Sequence, residues 1–346
     1  MVSISITIIL IAVILIALIF ALSNGLHDAS SVVATCIVCG AATPKQAIAI
    51  ASIFGMIGSI FGGSAVADTI SKVIDLPVNT SMLTILFAAI MGAVIWNLVT
   101  WRLGLPSSST HALIGGIIGS VWVSSGYKHI LWGWNELIGG QHELTGILKV
   151  VAGLIISPIL GFIIAFILQK LTKLLLRNAK YTLNNSLNKL QLGIAAALAY
   201  SHGANDTQKI IGIIALALMA GKGITTIPLG IRIAGGLVMF IGTMLGGWTI
   251  MKTIGRGIFK IRVIHSVNSQ LASSGSLLLA TFIGAPVSTT HVVVGSVMGA
   301  GAADEYKMVH WGVAKEIILA WFITIPLSAV VSAIIYSLAN FIFKVI

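Results

Sequence analysis

Ser23-Asn24-Gly25-Leu26-His27-Asp28 interrupts an apolar run over residues 2–43, and Ser201-His202-Gly203-Ala204-Asn205-Asp206 interrupts another over 190–220. Serine, glycine and aspartate coincide at an offset of 178 residues (23 to 201). Asn24 stands opposite His202, and His27 opposite Asn205, so the amide and the imidazole have changed places. A second pair of motifs follows in the same order. Leu105-Pro106-Ser107-Ser108-Ser109-Thr110-His111 matches Ala285-Pro286-Val287-Ser288-Thr289-Thr290-His291 at an offset of 180 (105 to 285), and Gly115 and Gly119 match Gly295 and Gly299. Two motifs in one order at nearly one spacing mark an internal duplication.

The composition says where such a chain lives. Of 346 residues 57% are hydrophobic and 8% charged, against about 25% charged in soluble domains. A disordered chain is poor in apolar residues, and two cysteines make no disulfide scaffold. What remains is a polytopic membrane protein, each spanning helix needing about 20 apolar residues. Apolar runs fall at roughly 2–43, 46–66, 81–103, 107–125 and 146–168, then 190–220, 226–251, 263–283, 287–302 and 313–343. Five runs per half is an odd number, which turns the second half over relative to the first, as in many secondary transporters. The expected fold is therefore all-α, with two inverted-topology repeats (1–169 and 190–346), broken or re-entrant helices and about 10–12 membrane segments. The very short links at Gly104 and Gly284–Ala285 suit re-entrant hairpins.

The net charge of +11 is no nucleic-acid patch, because it sits in short links between apolar runs. Lys170, Lys173, Arg177, Lys180 and Lys189 crowd 170–189, and Lys252, Arg256, Lys260 and Arg262 crowd 252–262, both without an acid. Such links are cytoplasmic by the positive-inside rule. The link with both signs, Lys128, Glu136, Glu143 and Lys149, suits the outside. Both termini then lie outside a cell membrane crossed many times. Residues 4–22 follow no basic residue and precede no A-x-A-like site, so they read as a retained helix rather than a signal peptide. Arg102 and Arg232, near run ends, are expected to snorkel to the interface. Small-xxx-small pairs such as Gly58–Gly62 and Gly242–Gly246 pack helices within one chain or between two, leaving a homodimer open.

The interruptions carry the chemistry. An ionised Asp28 or Asp206 at lipid depth costs at least ~2.5–3.5 kcal/mol, so each needs a partner, a proton or a cation. Neutral oxygens surround them in sequence: Asn24, Ser23, Ser30, Ser31, Asn205, Ser201 and Thr207. Carboxylate, amide and hydroxyl oxygens suit a hard cation, and Asp28, Asn24, Asp206 and Asn205 are the expected Na⁺ ligands. Gly25 and Gly203 would let the helices unwind and free carbonyls for the same ion. The Pro-Ser/Thr motifs point to an anion. Pro106 and Pro286 suit a helix start, where Ser107, Ser108, Ser109 and Thr110, and Ser288, Thr289 and Thr290, bring hydroxyls and backbone N–H groups together. Gln208 is a further polar candidate. Lys209, one turn past Asp206, either neutralises it or touches the anion. His27, His111, His202 and His291 either relay protons or hydrogen-bond across helices. Cys36 and Cys39 match C-x-x-C but lie in an apolar helix with no second pair, as packing residues do.

These motifs resemble the duplicated signature of the inorganic phosphate transporter (PiT) family over essentially the whole chain. The resemblance carries Asn24-Gly25-Leu26-His27-Asp28-Ala29, His202 to Lys209, and the two Pro-x-Ser-Ser/Thr-Thr-His stretches. It implies phosphate symport, driven by Na⁺ in some members and H⁺ in others, with sulfate carried by a few. The long hydrophilic central loop of animal members is missing here. The resulting expectation is a secondary transporter importing inorganic phosphate with Na⁺ by alternating access and needing no cofactor beyond its coupling ion. H⁺ coupling and sulfate transport are the alternatives. A passive channel would repel its anion from paired acids, and no Ser/His/Asp or metal-ligand arrangement specific to catalysis appears, so no enzyme is expected.

Overall fold

The computed structural model describes residues 2–105, 107–139, 142–180, 182–246, 251 and 257–345. Pro106 and two basic residues of the second link, Lys252 and Arg256, lie outside the described residues. Among those described are twelve α-helices: α1 (Val2–Val38), α2 (Pro44–Phe61), α3 (Ala65–Ser71), α4 (Ser81–Leu103), α5 (Ser109–Ser125), α6 (Trp134–Ile138), α7 (Gly146–Leu175), α8 (Leu183–Lys222), α9 (Leu229–Leu245), α10 (Val263–Phe282), α11 (Thr289–Glu305) and α12 (Trp311–Val345). Five of them, α1, α2, α4, α7 and α12, contain stretches long and apolar enough to cross a membrane. Their outward stripes are aliphatic. Ile8, Ile11, Leu15 and Ile19 on α1, and Ile155, Ile159, Ile163 and Ile167 on α7, are each about half exposed. A spacing of three and four residues puts them on one helix face, and lipid is the medium that covers such a face.

The helices run unbroken through the two Asp motifs, contrary to the expected unwinding at Gly25 and Gly203. The reason is packing. A side chain on Gly25 would strike the backbone of Met239 and Thr243 in α9, and one on Gly203 would strike the backbone of Gly55 in α2. Both glycines serve backbone-to-backbone contact. The breaks fall at the hairpin tips instead. Gly104 and Gly284 each take φ of 67°, a region open to glycine, and end the descent of α4 and α10. Helices α5 and α11 restart at Ser108 and Ser288, whose hydroxyls accept from the amides of His111 (3.1 Å) and His291 (3.4 Å). Each is 17 residues long, about 26 Å, shorter than the roughly 30 Å of a hydrocarbon core.

The contacts come in pairs. Helix α2 packs on α8, and α9 on α1; α7 packs on α11, and α12 on α5. Gly115 and Gly119 lie against Ile325, Ser328 and Ala329 of α12, while Gly295 and Gly299 lie against Pro158 and Phe162 of α7. The outer helix of each half thus clasps the hairpin of the other. Past α5, the Leu131 carbonyl accepts from Ile147 N at the start of α7 (2.8 Å). At the end of α11, Asp304 pairs with Lys173 at the finish of α7 (2.7 Å). The two short helices therefore run toward opposite ends of α7. Gly58 and Gly62 pack on Tyr200 and Ala204, and Gly242 on Leu22, so these small residues join helices within one chain.

Gly203→Ala forces a methyl group into the backbone of α2 and is expected to destabilise the fold by ~1–3 kcal/mol. Gly193→Ala, on the same helix in open space, is expected to be neutral or to gain up to ~1 kcal/mol from helix propensity. Thermal unfolding of the two variants in detergent checks the contrast, and equal melting temperatures would refute it.

Candidate functional site

The two aspartates meet. With His202 they bring ligating atoms within 4.8 Å of one another, all three residues buried. Asp28 accepts from Ser109 Oγ (2.9 Å) and Thr290 Oγ1 (2.8 Å), one hydroxyl from each hairpin tip, and lies 3.1 Å from His27 Nδ1. Asp206 accepts from Lys209 Nζ (2.5 Å) and Asn24 Nδ2 (3.4 Å) and pairs with His202 Nδ1 at 3.0 Å. Lys209 gives its other two N–H groups to Thr110 Oγ1 and the Val287 carbonyl, both at 2.6 Å.

Two carboxylates face one ammonium, so with neutral imidazoles the site holds one net negative charge. That charge centres on Asp28, whose partners are hydroxyls and an imidazole. An uncompensated buried carboxylate costs several kcal/mol. Beside it the Asn24 Oδ1 is buried without a hydrogen-bond partner. Carboxylate, free amide oxygen and hydroxyls are the donor set of a hard cation. On the other side of Asp28 the starts of α5 and α11 converge. The first-turn N–H groups of a helix have no intrahelical partner, and with the dipole they favour an anion. The His111 and His291 rings mark this meeting point at 4.6 Å, with His291 stacked on Trp321 at 3.6 Å.

The model of the phosphate transporter family matches residues 24–332. The chain belongs to the phosphate transporter family. Over 339 residues it is 37% identical to the probable low-affinity inorganic phosphate transporter of Bacillus subtilis (strain 168), covering 96% of this chain and 98% of that one. The corresponding protein of Rhizobium meliloti (strain 1021) is 35% identical, with 96% of each chain covered. A solved structure titled "The sodium-dependent phosphate transporter" superposes with a TM-score of 0.83 at 25% identity, over 96% of this chain and 99% of that chain. The family and these relatives are transporters, not enzymes.

Within this family member the expected site residues divide into three groups. Asp28, Asp206, Asn24, Ser109, Thr110, Thr289 and Thr290 converge, Thr289 reaching His202 Nδ1 at 3.0 Å. Ser108 and Ser288 are spent as helix caps, and Ser107 bonds Thr100 Oγ1 at 2.9 Å. Gln208 and Asn205 face away from the site. Gln208 accepts from Val66 N (2.8 Å) and donates to the Gly62 carbonyl (2.6 Å), spanning the break between α2 and α3. Asn205 ties down the second hairpin tip through Thr281 Oγ1 (3.0 Å), the Ala285 carbonyl (3.2 Å) and Val287 N (3.3 Å). Each amide oxygen already accepts one backbone N–H, from Val66 and from Val287. Thr100 and Thr281, which hold the tips from α4 and α10, went unnoticed because each is one hydroxyl at the end of an apolar run. Of the histidines, His27 and His202 are hydrogen-bonded, while His111 Nδ1 and both ring nitrogens of His291 lack partners.

Removing one member of a buried ion pair strands the other. Lys209→Met is expected to destabilise the protein by about 3–5 kcal/mol, and Lys209→Met with Asp206→Asn to recover much of that loss. Thermal unfolding of the single and double variants is the check; additive losses would show that the pair is not the unit.

Proposed function

We propose that this chain imports inorganic phosphate together with Na⁺ by alternating access. The observation that carries the reading is the imbalance in fixed charge: Lys209 holds Asp206, whereas Asp28 has two hydroxyls and the His27 imidazole but no lysine or arginine. Na⁺ takes Asp28, the Asn24 Oδ1 and the tip hydroxyls. Of the four expected ligands, Asp206 is the one Lys209 already serves. Phosphate takes the N-terminal turns of α5 and α11, with Ser109, Thr110, Thr289 and Thr290 as hydroxyl donors and Lys209 as the fixed positive charge. Without Na⁺ the anion would meet a net negative pocket. With one Na⁺ the pocket that receives the anion is neutral, and the fully loaded site carries one negative charge fewer, and is cheaper to close, than a site holding phosphate alone. That difference is the coupling. The solved sodium-dependent phosphate transporter of the same fold supports Na⁺ as the partner ion, and the family supports phosphate over sulfate.

The halves 1–169 and 190–346, with 170–189 as their basic link, act as inverted repeats in this scheme. The opposed directions of α5 and α11 support that reading. By the positive-inside rule the basic link faces the cytoplasm and both termini face outside.

The test is labelled phosphate uptake into proteoliposomes, driven by a Na⁺ gradient or by a pH gradient. Uphill uptake with Na⁺ alone is expected. Asp28→Asn is expected to lower Na⁺-driven uptake by two orders of magnitude or more, roughly the loss of one buried charged partner, while the protein still folds. Uptake driven by the pH gradient alone would make Asp28 a proton carrier and overturn Na⁺ coupling.

A further inference from the structure

Helix α10 carries a buried polar face that lies outside the ionic centre. Between His265 and Ser276 it carries His265, Ser266, Asn268, Ser269, Gln270, Ser273, Ser274 and Ser276, all buried. Its exposed residues, Leu271, Leu279 and Phe282, form one apolar stripe. The polar face is therefore turned into the protein, where it meets polar groups of α7, α8, α1 and α11 in a file of separate contacts. At the basic end, Asp304 pairs with Lys173 (2.7 Å) and His265 Nε2 (3.0 Å). One turn deeper, Asn268 bonds Gln169 Oε1 (2.7 Å) and Thr172 Oγ1 (3.1 Å). Next, Gln270 bonds Gln191 Nε2 (2.5 Å) and the Val32 carbonyl (2.9 Å), and Ser274 meets Ser201 at 3.2 Å. The file ends at Thr281 and Asn205, beside Asp206. From residue 265 to 281 a helix rises about 24 Å.

This file is closed, and it is not fully satisfied. Gln169 Nε2, Gln191 Oε1, Ser266 Oγ and Ser276 Oγ are buried without partners. Such atoms are rare in natively packed interiors, and each needs an explanation. Helix α4, which occupies the matching place in the first half, shows the contrast. From Met82 to Val94 its buried face is Met, Leu, Ile, Ala, Gly and Val with Thr84 alone carrying a polar group, and Asn97 and Thr100 follow only in its last turns, near the tip. It packs into the large apolar core that includes Phe20, Leu86 and Ile213. Packing alone is thus met by apolar residues, so the polar face of α10 serves something else. Its chemistry is suited to a cotransport route. An amide presents oxygen to a cation and N–H to an anion, and no fixed charge in the middle of the file would trap either sign.

Resting on the transport reading above, we propose that the amide and hydroxyl face of α10, with Gln169 and Gln191, is the closed route by which phosphate and its co-ion pass between the Asp28–Asp206 site and the basic face. Opening separates α10 from α7 and α8, and water then satisfies the orphaned groups. The end lined by α4 is the dry seal.

The test is thiol accessibility. In a background with Cys36→Ala and Cys39→Ala, Ser269→Cys and Ser273→Cys are compared with Leu271→Cys and Leu279→Cys on the lipid face. Lys180→Cys serves as the marker of the basic face. A membrane-impermeant, charged thiol reagent is applied to one side of vesicles at a time. Ser269→Cys and Ser273→Cys are expected to react from the side that modifies Lys180→Cys. They should react at least about tenfold faster than the lipid-face pair, since one unit of pKa elevation in an apolar setting alone removes about tenfold of the thiolate. No reaction, reaction from the other side, or rates equal to the lipid-face pair would overturn the route. Labelling requires no transport, so a failure of the Asp28 prediction leaves this result standing, and normal uptake without labelling sinks the route alone. A second variant guards against misfolding. Gln191→Leu with Gln270→Leu removes the amide pair at similar volume. It is expected to abolish phosphate flux while phosphate still raises the melting temperature, and unchanged flux would overturn the route.

Discussion

Everything in this protein is arranged around two carboxylates and one ammonium held out of water. Asp28 and Asp206 are 2% and 1% exposed, and Lys209 is 1% exposed. In a medium where charge is expensive, each must find every hydrogen bond available. Asp28 finds its hydroxyls on Ser109 and Thr290, which belong to different halves, so its partners exist only when both hairpin tips are in place. Lys209 reaches across to Thr110 and Val287 in the same way. The ionic centre and the convergence of the tips are therefore one requirement, and the two helix starts are positioned by the same bonds that hold the acids.

That convergence depends on close helix contact. The tips can reach the middle only because α5 and α11 press their glycines against α12 and α7, and α1 and α8 press theirs against α9 and α2. Each hairpin is gripped by its own half's core helix as well. In the second half Asn205 makes three bonds to the tip. In the first half His27, at the matching position, reaches Thr100 and Ser107 at 3.4 Å. The exchange of amide and imidazole seen in the sequence now has a physical meaning. Asn24 and His202 both point to Asp206, whereas His27 and Asn205 both fasten a tip. The swapped residues keep their roles by position and change only the chemistry of the grip.

Much of this was legible in the residues. Two acids at matched positions and two Ser/Thr-rich helix starts were readable because each motif occurs twice, where a single copy would pass for an ordinary buried acid or helix cap. The expected unwinding at Gly25 and Gly203 failed because a glycine in an apolar helix serves either bending or close approach, and its neighbour decides which. Met239 and Gly55 are distant in sequence, so no local pattern names them. The partners of Gln208 and Asn205 were hidden for a related reason. An amide beside an aspartate looks like a ligand until the backbone groups it ties, at Gly62 and Val66 or at Ala285 and Val287, are known. The polar face of α10 was present in the sequence, but inside a run read by its average hydropathy it was diluted by the leucines of the lipid side.

The duplication is broken at one decisive position. Residue 31 is serine where residue 209 is lysine, an offset of 178 (31 to 209). The two side chains make the same bond across the centre: Ser31 Oγ to Thr290 Oγ1 at 2.9 Å, and Lys209 Nζ to Thr110 Oγ1 at 2.6 Å. With lysine in both halves, each carboxylate would carry a permanent counter-charge, and no mobile cation would be required. With serine in both, two buried carboxylates would face one anion with nothing fixed to offset them. One of each leaves Asp28 without a fixed counter-charge beside an Asp206 that has one. That inequality in fixed charge sets apart two halves that otherwise match around the centre.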